Sequence, residues 1–269
     1  MTTSLTEYLN NIFHRIPVLA SYRPEEFEIT ELMSHNNKNF RMKNHNLDVI
    51  LRIPRTETSK YINRKAEIKN ENIAFTLGLS PLCLWQSEQG ESLTQTVPNC
   101  KTLTPSDLKK KNIIHLLAIN LQQLHRCKHT FQGQVNLPEL LSQFFGLMNK
   151  QQQNHFKERL EQALCLVKTL EPGQESPVPS HNDLNEKNLL LDNNNKLWMI
   201  DWEYSSMASP YWDLATICNA GQYQQSHSRY LLDCYCTPQN SLELDNLTKY
   251  RGVLSLLNDC WMEVFSTKR

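Results

Sequence analysis

Glycine is scarce in this chain, with 7 residues among 269, and none lies between Ile29 and Gly78. Asparagine tolerates the left-handed backbone region and replaces glycine in turns, and three asparagines stand together at 193–195. We therefore expect several turns of this chain to be built on asparagine.

Long apolar runs and an excess of one charge are also missing. No run approaches the roughly 18 apolar residues of a membrane-spanning helix, and residues 1–17 lack the order of a secretory signal. The 28 Lys and Arg balance the 28 Asp and Glu, so no net basic field favours nucleic acid. We expect a soluble, cytoplasmic protein with no membrane insertion and no nucleic-acid partner. The oligomeric state does not follow from the sequence.

The first part of the chain has the pattern of a small mixed α/β lobe. Short strands are predicted for FEIT (27–30) and LDVILRI (47–53), separated by the polar run SHNNKNFR. A helix over 59–77 follows, ending at Gly78, and then strands at 82–85 and 92–97 around a Gln89-Gly90 turn. This pattern predicts a small antiparallel sheet with one helix.

After Pro98 the pattern becomes mainly helical. Helices are predicted around 113–124 and 152–170, and a proline-rich break leads into a hairpin, in which 189–191 and 197–200 flank a polar turn. The sequence thus predicts an α+β fold in two parts. Residues 1–97 form the smaller one, and residues 98–269 form a larger helical one with an inserted hairpin.

The segment from His181 to Asp213 carries the chemistry. Asp183 and Asn188 are five residues apart, which is typical of a loop whose aspartate faces a hydroxyl substrate and whose asparagine binds a metal. A hairpin returns the chain so that Asp201 comes beside Asn188, and amide and carboxylate oxygens suit Mg²⁺. The alternative is a solvated turn around a surface hairpin.

Two segments, HNDLNEKN (181–188) and LWMIDWEYSSMASPYWDLA (197–215), resemble the choline and ethanolamine kinases, within the aminoglycoside-phosphotransferase-like group. The resemblance extends from about Ile29 to Trp212. It implies a two-lobed protein-kinase-like fold that uses ATP and Mg²⁺ to phosphorylate an amino alcohol, choline or ethanolamine. It also implies roles for individual residues: Asp183 as catalytic base, Asn188 and Asp201 as magnesium ligands, Glu203 as a further acidic group near the metal, and His181 as a support of the loop. Asp213 lies beyond the metal motif, so we expect it to cap or brace the loop and not to touch substrate.

The same resemblance assigns residues to the nucleotide. LRIPR resembles the family's third strand, in which Arg52 would hold the phosphates, with Glu67 on the next helix as its partner. Glu71, one turn further on, is the competing partner, and an ordinary surface ion pair is the alternative. The stretch 93–97 resembles the linker between the lobes that binds adenine through its backbone. This implies that Gln95 and Val97 contact the nucleotide.

One segment departs from the family pattern. The turn over the phosphates usually contains glycine, whereas here it reads SHNNKNFR. We expect Asn36, Asn37 and Asn39 to replace it, because asparagine tolerates positive φ. Asn37 and Phe40 match the polar and aromatic positions of the family.

The acceptor pocket is less determined by the sequence. Aromatic faces with a nearby carboxylate hold a quaternary ammonium, and Tyr204, which follows Glu203, matches a family aromatic. Further candidates, for which core packing is the alternative, are Trp212, Tyr223 and Trp261. Thiamine and aminoglycosides remain alternative acceptors. A nucleotide-binding pseudokinase that acts as an interaction module is the alternative from another class.

Overall fold

The computed structural model describes residues 3–32, 37–54, 62–170, 176–238 and 241–266. The chain divides into two compact units, residues 1–99 and residues 100–269. The sequence pattern placed the corresponding boundary after residue 97. None of the helices in the described ranges is long and apolar enough to cross a bilayer.

The first unit is built on a five-stranded antiparallel sheet in the order β1-β2-β3-β5-β4. Its strands are β1 Glu28–Leu32, β2 Asn37–Lys43, β3 Asp48–Pro54, β4 Cys83–Gln86 and β5 Ser92–Gln95. Within the described residues of this unit, two helices accompany it, α1 Thr3–Arg15 and α2 Arg64–Thr76. The predicted strands are confirmed, and so is the predicted helix, but it begins at Arg64 with Asn63 as its N-cap and not at residue 59. Residues 59–61 lie outside the described residues.

Strand β2 occupies most of the polar run that the sequence pattern treated as a turn. It pairs with β1 on one side and with β3 on the other, and its buried positions are Asn37, Phe40 and Met42. The expectation that Asn37 and Asn39 adopt positive φ is therefore wrong, because both lie in an extended strand. Asn36 lies outside the described residues.

Helix α1 shares its core with one face of this sheet. Leu9, Ile12 and Phe13 of α1, together with Ile16 and Leu19 after it, are buried in one cluster with apolar residues of β2, β3 and β5. Each such buried side chain is worth about 1.5–3 kcal/mol. The helix is thereby an integral part of the first unit.

The second unit is mainly helical, as predicted. Its helices are α3 Pro105–Leu108, α4 Lys111–His125, α5 Leu137–Gly146, α6 Lys150–Thr169, α7 Pro210–Ala220, α8 Gln225–Tyr235 and α9 Leu244–Ser266. Capping asparagines begin two of them: Asn136 accepts from the Glu139 N–H, and Asn149 from the Gln152 N–H. Helix α4 packs on α8, and α9 packs on α6 and α7.

Two small sheets frame the segment that carries the chemistry. The predicted hairpin is confirmed as β8 Leu189–Asp192 and β9 Leu197–Met199, with β6 Cys100–Thr102 beside β8. Asn195 has φ 59° in its turn, so asparagine replaces glycine there. A second pair, β7 Val178–Ser180 with β10 Ser206–Ala208, was not expected from the sequence. Residues 181–188 and 200–205 thus connect the two sheets.

Candidate active site

The loop that follows β7 is anchored at the first turn of α7. The carboxylate of Asp213 accepts the backbone N–H of His181 at 2.9 Å and that of Asn182 at 2.7 Å. His125, at the end of α4, places Nε2 at 3.1 Å from the same carboxylate and Nδ1 at 2.8 Å from the Tyr235 hydroxyl. Burial raises the pKa of Asp213, but its contacts with His125 and with the His181 N–H outweigh burial and hold that pKa below its usual range. The expected supporting role of Asp213 is confirmed.

Asn182 joins the two connecting segments to each other. It has φ 66°, and its side-chain amide donates to the Tyr204 carbonyl at 2.9 Å and to the Ser206 hydroxyl at 2.8 Å. Its own carbonyl accepts the indole N–H of Trp212 at 3.0 Å. Sequence reasoning missed this residue, although an asparagine beside an expected catalytic aspartate is a signal for a left-handed turn.

His181 fixes the backbone on both sides of the site. Its Nε2 lies 3.0 Å from the Ile200 carbonyl, and its Nδ1 lies 3.3 Å from the backbone nitrogen of Asp183. A neutral ring with hydrogen on Nε2 satisfies both contacts, because a carbonyl can only accept and an N–H can only donate. Complete burial lowers the pKa of His181, which favours this neutral form. The expected role as a structural support is confirmed.

Asp183 is held by two asparagine amides. Asn185 Nδ2 lies 3.1 Å from Oδ1, and Asn188 Nδ2 lies 2.9 Å from Oδ2 and 2.8 Å from the Asp183 carbonyl. The pKa of Asp183 is raised to about 6, mainly by burial and also by the charges of Glu203 and Asp213, against the lowering effect of the two amides. A carboxylate with a raised pKa and a fixed orientation can accept a proton from a hydroxyl.

The base of the hairpin brings Asn188 and the residue before Asp201 together. The Ile200 N–H donates to the Asn188 carbonyl at 3.0 Å, while the Ile200 carbonyl contacts His181. Asp201 then turns the chain with φ 66°. The N–H and the carbonyl of Ile200 thus both contact residues of the loop, and these contacts fix the backbone position of the next residue, Asp201.

The donor chemistry fits a magnesium ion. The amide nitrogen of Asn188 is engaged with Asp183, so Oδ1 is the atom of this side chain that can ligate a cation. In the described part of the chain, no three His, Cys, Asp or Glu side chains form a metal-binding group by themselves. Mg²⁺ needs no such group, because it is usually held by one or two carboxylates, substrate phosphates and water. Asn188, Asp201 and Glu203 stay the predicted ligands.

The aromatic candidates for the acceptor pocket have different surroundings. Tyr204 is half-buried, and Trp212 is buried and supports Asn182. The Tyr223 hydroxyl donates to the Leu108 carbonyl at 2.6 Å, and Trp261 packs against Phe265 within α9. These internal contacts account for Trp212 and Tyr223, and their predicted contact with substrate stays a prediction, as it does for Tyr204 and Trp261.

In the first unit, Arg52 of β3 forms an ion pair with Glu67 of α2, as predicted. Glu67 is almost fully buried, and a second arginine, Arg64, donates to its Oε2 at 2.7 Å. The same guanidinium nitrogen of Arg52 donates to the Gly90 carbonyl at 3.2 Å. The pair is therefore a buried network and not a surface contact. Arg64 was missed, although it lies one turn before Glu67 on the same helix.

Glu71, the competing partner, is engaged elsewhere. It accepts a hydrogen bond from Gln86 of β4. Burial raises the pKa of Glu71 to about 7, which the Arg52 charge opposes and the Glu67 charge reinforces.

The stretch expected to bind adenine continues β5. The Gln95 N–H donates to the Leu82 carbonyl at 2.8 Å, and the Thr96 N–H donates to the Asp48 carbonyl at 3.0 Å. The Val97 side chain is buried. The contacts of Gln95, Val97 and Asn37 with the nucleotide stay predictions.

Comparison with known proteins identifies the family of the chain. The family model described as choline/ethanolamine kinase matches residues 28–250. The chain belongs to this family. It is accordingly a phosphotransferase that uses ATP and has an alcohol group as acceptor.

Individual members of the family are related at low identity. Protein LicA of Haemophilus influenzae is 27% identical over 236 residues, which cover 83% of this chain and 69% of the relative. The crystal structure of choline kinase LicA from Streptococcus pneumoniae is 21% identical, with a TM-score of 0.87 over 99% of this chain and 92% of that one.

The fold is also shared outside the choline kinases. The aminoglycoside phosphotransferase APH(2'')-Ib bound to ADP is 16% identical, with a TM-score of 0.68 over 100% of this chain and 92% of that one. These likenesses confirm the two-part, protein-kinase-like fold that the sequence predicted.

Proposed function

We propose that this chain is a magnesium-dependent kinase that transfers the γ-phosphoryl group of ATP to the hydroxyl of choline. The observation that carries the proposal is the arrangement of Asp183, which is held by Asn188 at the base of a hairpin that leads directly to Asp201. A catalytic aspartate and two oxygen ligands for one cation are the parts that phosphoryl transfer requires.

In this mechanism Asp183 orients the acceptor hydroxyl and takes its proton as the oxygen attacks. Its two amide contacts fix the carboxylate, so little reorganisation is needed when the substrate arrives. A pKa of about 6 leaves the group mostly ionised at neutral pH and still basic enough to share a proton.

The metal would be held by the Asn188 amide oxygen and the Asp201 carboxylate, with Glu203 nearby. When bound, Mg²⁺ neutralises the charge of the phosphate oxygens and aligns them for in-line transfer. The backbone contacts of Ile200 with Asn188 and His181 keep these two ligands in register.

Arg52 would bind the phosphates of ATP, oriented by Glu67. Two arginines, Arg52 and Arg64, share this one carboxylate. A guanidinium forms charge-assisted hydrogen bonds with phosphate oxygens, which suits the binding of a polyphosphate. The related LicA structure in complex with AMP, 23% identical with a TM-score of 0.82, supports nucleotide binding by this fold.

The acceptor assignment is supported by relatives and by composition of the site. The similar structure from Streptococcus pneumoniae is a choline kinase, whereas the ethanolamine kinase of Plasmodium vivax matches with a TM-score of 0.77 and 16% identity. Glu203 and Tyr204 place a carboxylate and an aromatic ring next to each other in sequence, which suits a quaternary ammonium.

The test is ADP release by the full chain with ATP and one acceptor at a time: choline, ethanolamine, thiamine or an aminoglycoside. We expect release only with Mg²⁺ present and the highest kcat/KM with choline. A preference for another acceptor would overturn the substrate but leave the reaction. No release with any of the four would overturn the proposal and favour a nucleotide-binding module.

A further inference from the structure

A second ionic cluster joins helix α1 to the turn beside Arg52. The Glu91 Oε1 atom accepts a hydrogen bond from the Tyr8 hydroxyl at 2.6 Å. Arg15 donates to both carboxylate oxygens, at 3.1 Å to Oε1 and at 2.7 Å to Oε2. Tyr8 and Arg15 belong to α1, outside the residues 28–250 that the family model matches. This helix therefore supplies contacts that the family pattern does not account for.

The Glu91 carboxylate is buried, with a side chain only 9% exposed, whereas that of Arg15 is 48% exposed. Burial raises the pKa of Glu91, but its contacts with Arg15 and Tyr8 outweigh burial and hold that pKa below its usual range. Because the buried carboxylate accepts three side-chain hydrogen bonds, it is held in one position and orientation.

Glu91 closes a tight turn at that point. The Ser87 N–H donates to the Glu91 carbonyl at 2.8 Å, the Glu91 N–H donates to the Ser87 hydroxyl at 3.1 Å, and the Gly90 N–H donates to the Ser87 carbonyl at 3.1 Å. Gly90 has φ 92°, and a Cβ there would lie 2.3 Å from Nε of Arg64. The turn thus packs directly against the ionic network of Arg52, Arg64 and Glu67, here called the Arg52 cluster.

The turn also contacts Arg52, through the Gly90 carbonyl at 3.2 Å. In β-sheet register, Arg52 stands opposite Ser92, the residue after Glu91. A displacement of Glu91 therefore moves both the carbonyl that holds the Arg52 guanidinium and the strand that faces it.

We propose that Glu91 is a positioning residue for ATP: clamped by Tyr8 and Arg15 of α1, it sets the Gly90 carbonyl and through it the phosphate-binding geometry of Arg52. This inference rests on the proposed function of Arg52. Glu91 does not itself contact the nucleotide. Its effect is on ATP and not on the acceptor, because its contacts end at the Arg52 cluster.

The experiment is steady-state kinetics of the full chain with ATP, Mg²⁺ and choline. Glu91→Gln removes the charge at nearly constant size, and Arg15→Gln removes its partner at a half-exposed position that tolerates substitution. We expect KM for ATP to rise about three- to tenfold in both, with KM for choline unchanged. Ile12→Val is the matched control, because it weakens the packing of α1 without touching the clamp. It should lower the melting temperature and leave KM for ATP unchanged.

A double-mutant cycle with Arg52→Ala separates this inference from the proposed function. If Glu91 acts through Arg52, Glu91→Gln adds nothing to KM for ATP once Arg52 is alanine. Full additivity of the two changes, or an unaltered KM for ATP in Glu91→Gln and Arg15→Gln, would overturn the positioning role alone. An unaltered KM for ATP in Arg52→Ala would overturn the assignment of Arg52 and this inference with it.

Discussion

Asp201 combines the carboxylate that we propose as a metal ligand with a left-handed backbone. Its φ of 66° is a conformation that asparagine and aspartate adopt more readily than other residues with a Cβ. The residue is therefore constrained twice, by the proposed metal and by the turn.

These two constraints can be separated by two substitutions at this position. Asp201→Asn keeps the turn but removes the charge, so we expect loss of turnover with the free energy of unfolding nearly unchanged. Asp201→Ala should lose turnover and also about 1 kcal/mol of stability, because alanine resists positive φ. Urea unfolding and ADP release measure the two effects. Equal stability of the two variants would contradict the backbone part of this explanation.

Glu71 makes stability depend on pH. Its pKa is raised from 4.5 to about 7 by burial, so the folded state binds more protons than the unfolded state between these values. Stability is then fully present below about pH 4.5 and falls as pH rises through about 7, by up to about 3 kcal/mol.

Glu71→Gln should remove this dependence while keeping the side chain's size. We expect the variant to gain stability over the natural protein at pH 8 and little or none at pH 5, measured by urea unfolding at both values. The same stability difference between the two proteins at pH 5 and at pH 8 would show that Glu71 does not titrate as described.

At the scale of elements, one carboxylate, that of Asp213 in α7, contacts both α4 and the loop that follows β7. Asp213 accepts two backbone N–H groups of the loop and contacts His125 of α4. Asp213→Asn replaces one acceptor oxygen by a donor that faces donors, so we expect a loss of about 3 kcal/mol in unfolding free energy.

The control for this substitution is Asp245→Asn. Asp245 has an exposed carboxylate in an i,i+4 pair with Lys249, and its loss should cost about 0.5 kcal/mol or less. A comparable, small loss in both variants would contradict the anchoring role of Asp213.

Elements with a clear local pattern were predictable from the sequence, and the others depend on partners far away in the chain. The hairpin of β8 and β9 and the helix α4 follow from periodicity and turn residues. Strand β2 did not, because the face that carries Phe40 and Met42 begins with the exposed Lys38 and the other face carries only polar residues, Asn37, Asn39, Arg41 and Lys43, so the alternation is hidden. Its strand character comes from pairing on both sides.

The site shows the same division. The spacing of Asp183, Asn188 and Asp201 is local and could be recognised. The contact of His125 with Asp213 spans 88 residues, and that of Arg15 with Glu91 spans 76, and no periodicity connects such positions. Only the packing of the helices brings those groups together.

For the whole molecule, ligand binding should appear as added stability. ATP with Mg²⁺ at 100 times its Kd is expected to stabilise the folded chain by about 2.7 kcal/mol, which raises the melting temperature by several degrees. If the proposed metal ligands bind Mg²⁺ together with ATP, EDTA should remove most of this increase. The measurement is a thermal melt with ATP, with ATP and Mg²⁺, and with added EDTA. An identical ATP-dependent shift with and without the metal would argue against the proposed ligands.

The measurement that tests the central claim most directly compares Asp183→Asn with the natural protein in choline-dependent ADP release, alongside ATP binding by calorimetry. The substitution keeps the size of the side chain and one of its two amide contacts but removes the base, so kcat should fall by about 10²–10⁴-fold while Kd for ATP stays within about threefold. Turnover close to that of the natural protein would contradict the account, because Asp183 would then not accept the proton of the acceptor hydroxyl.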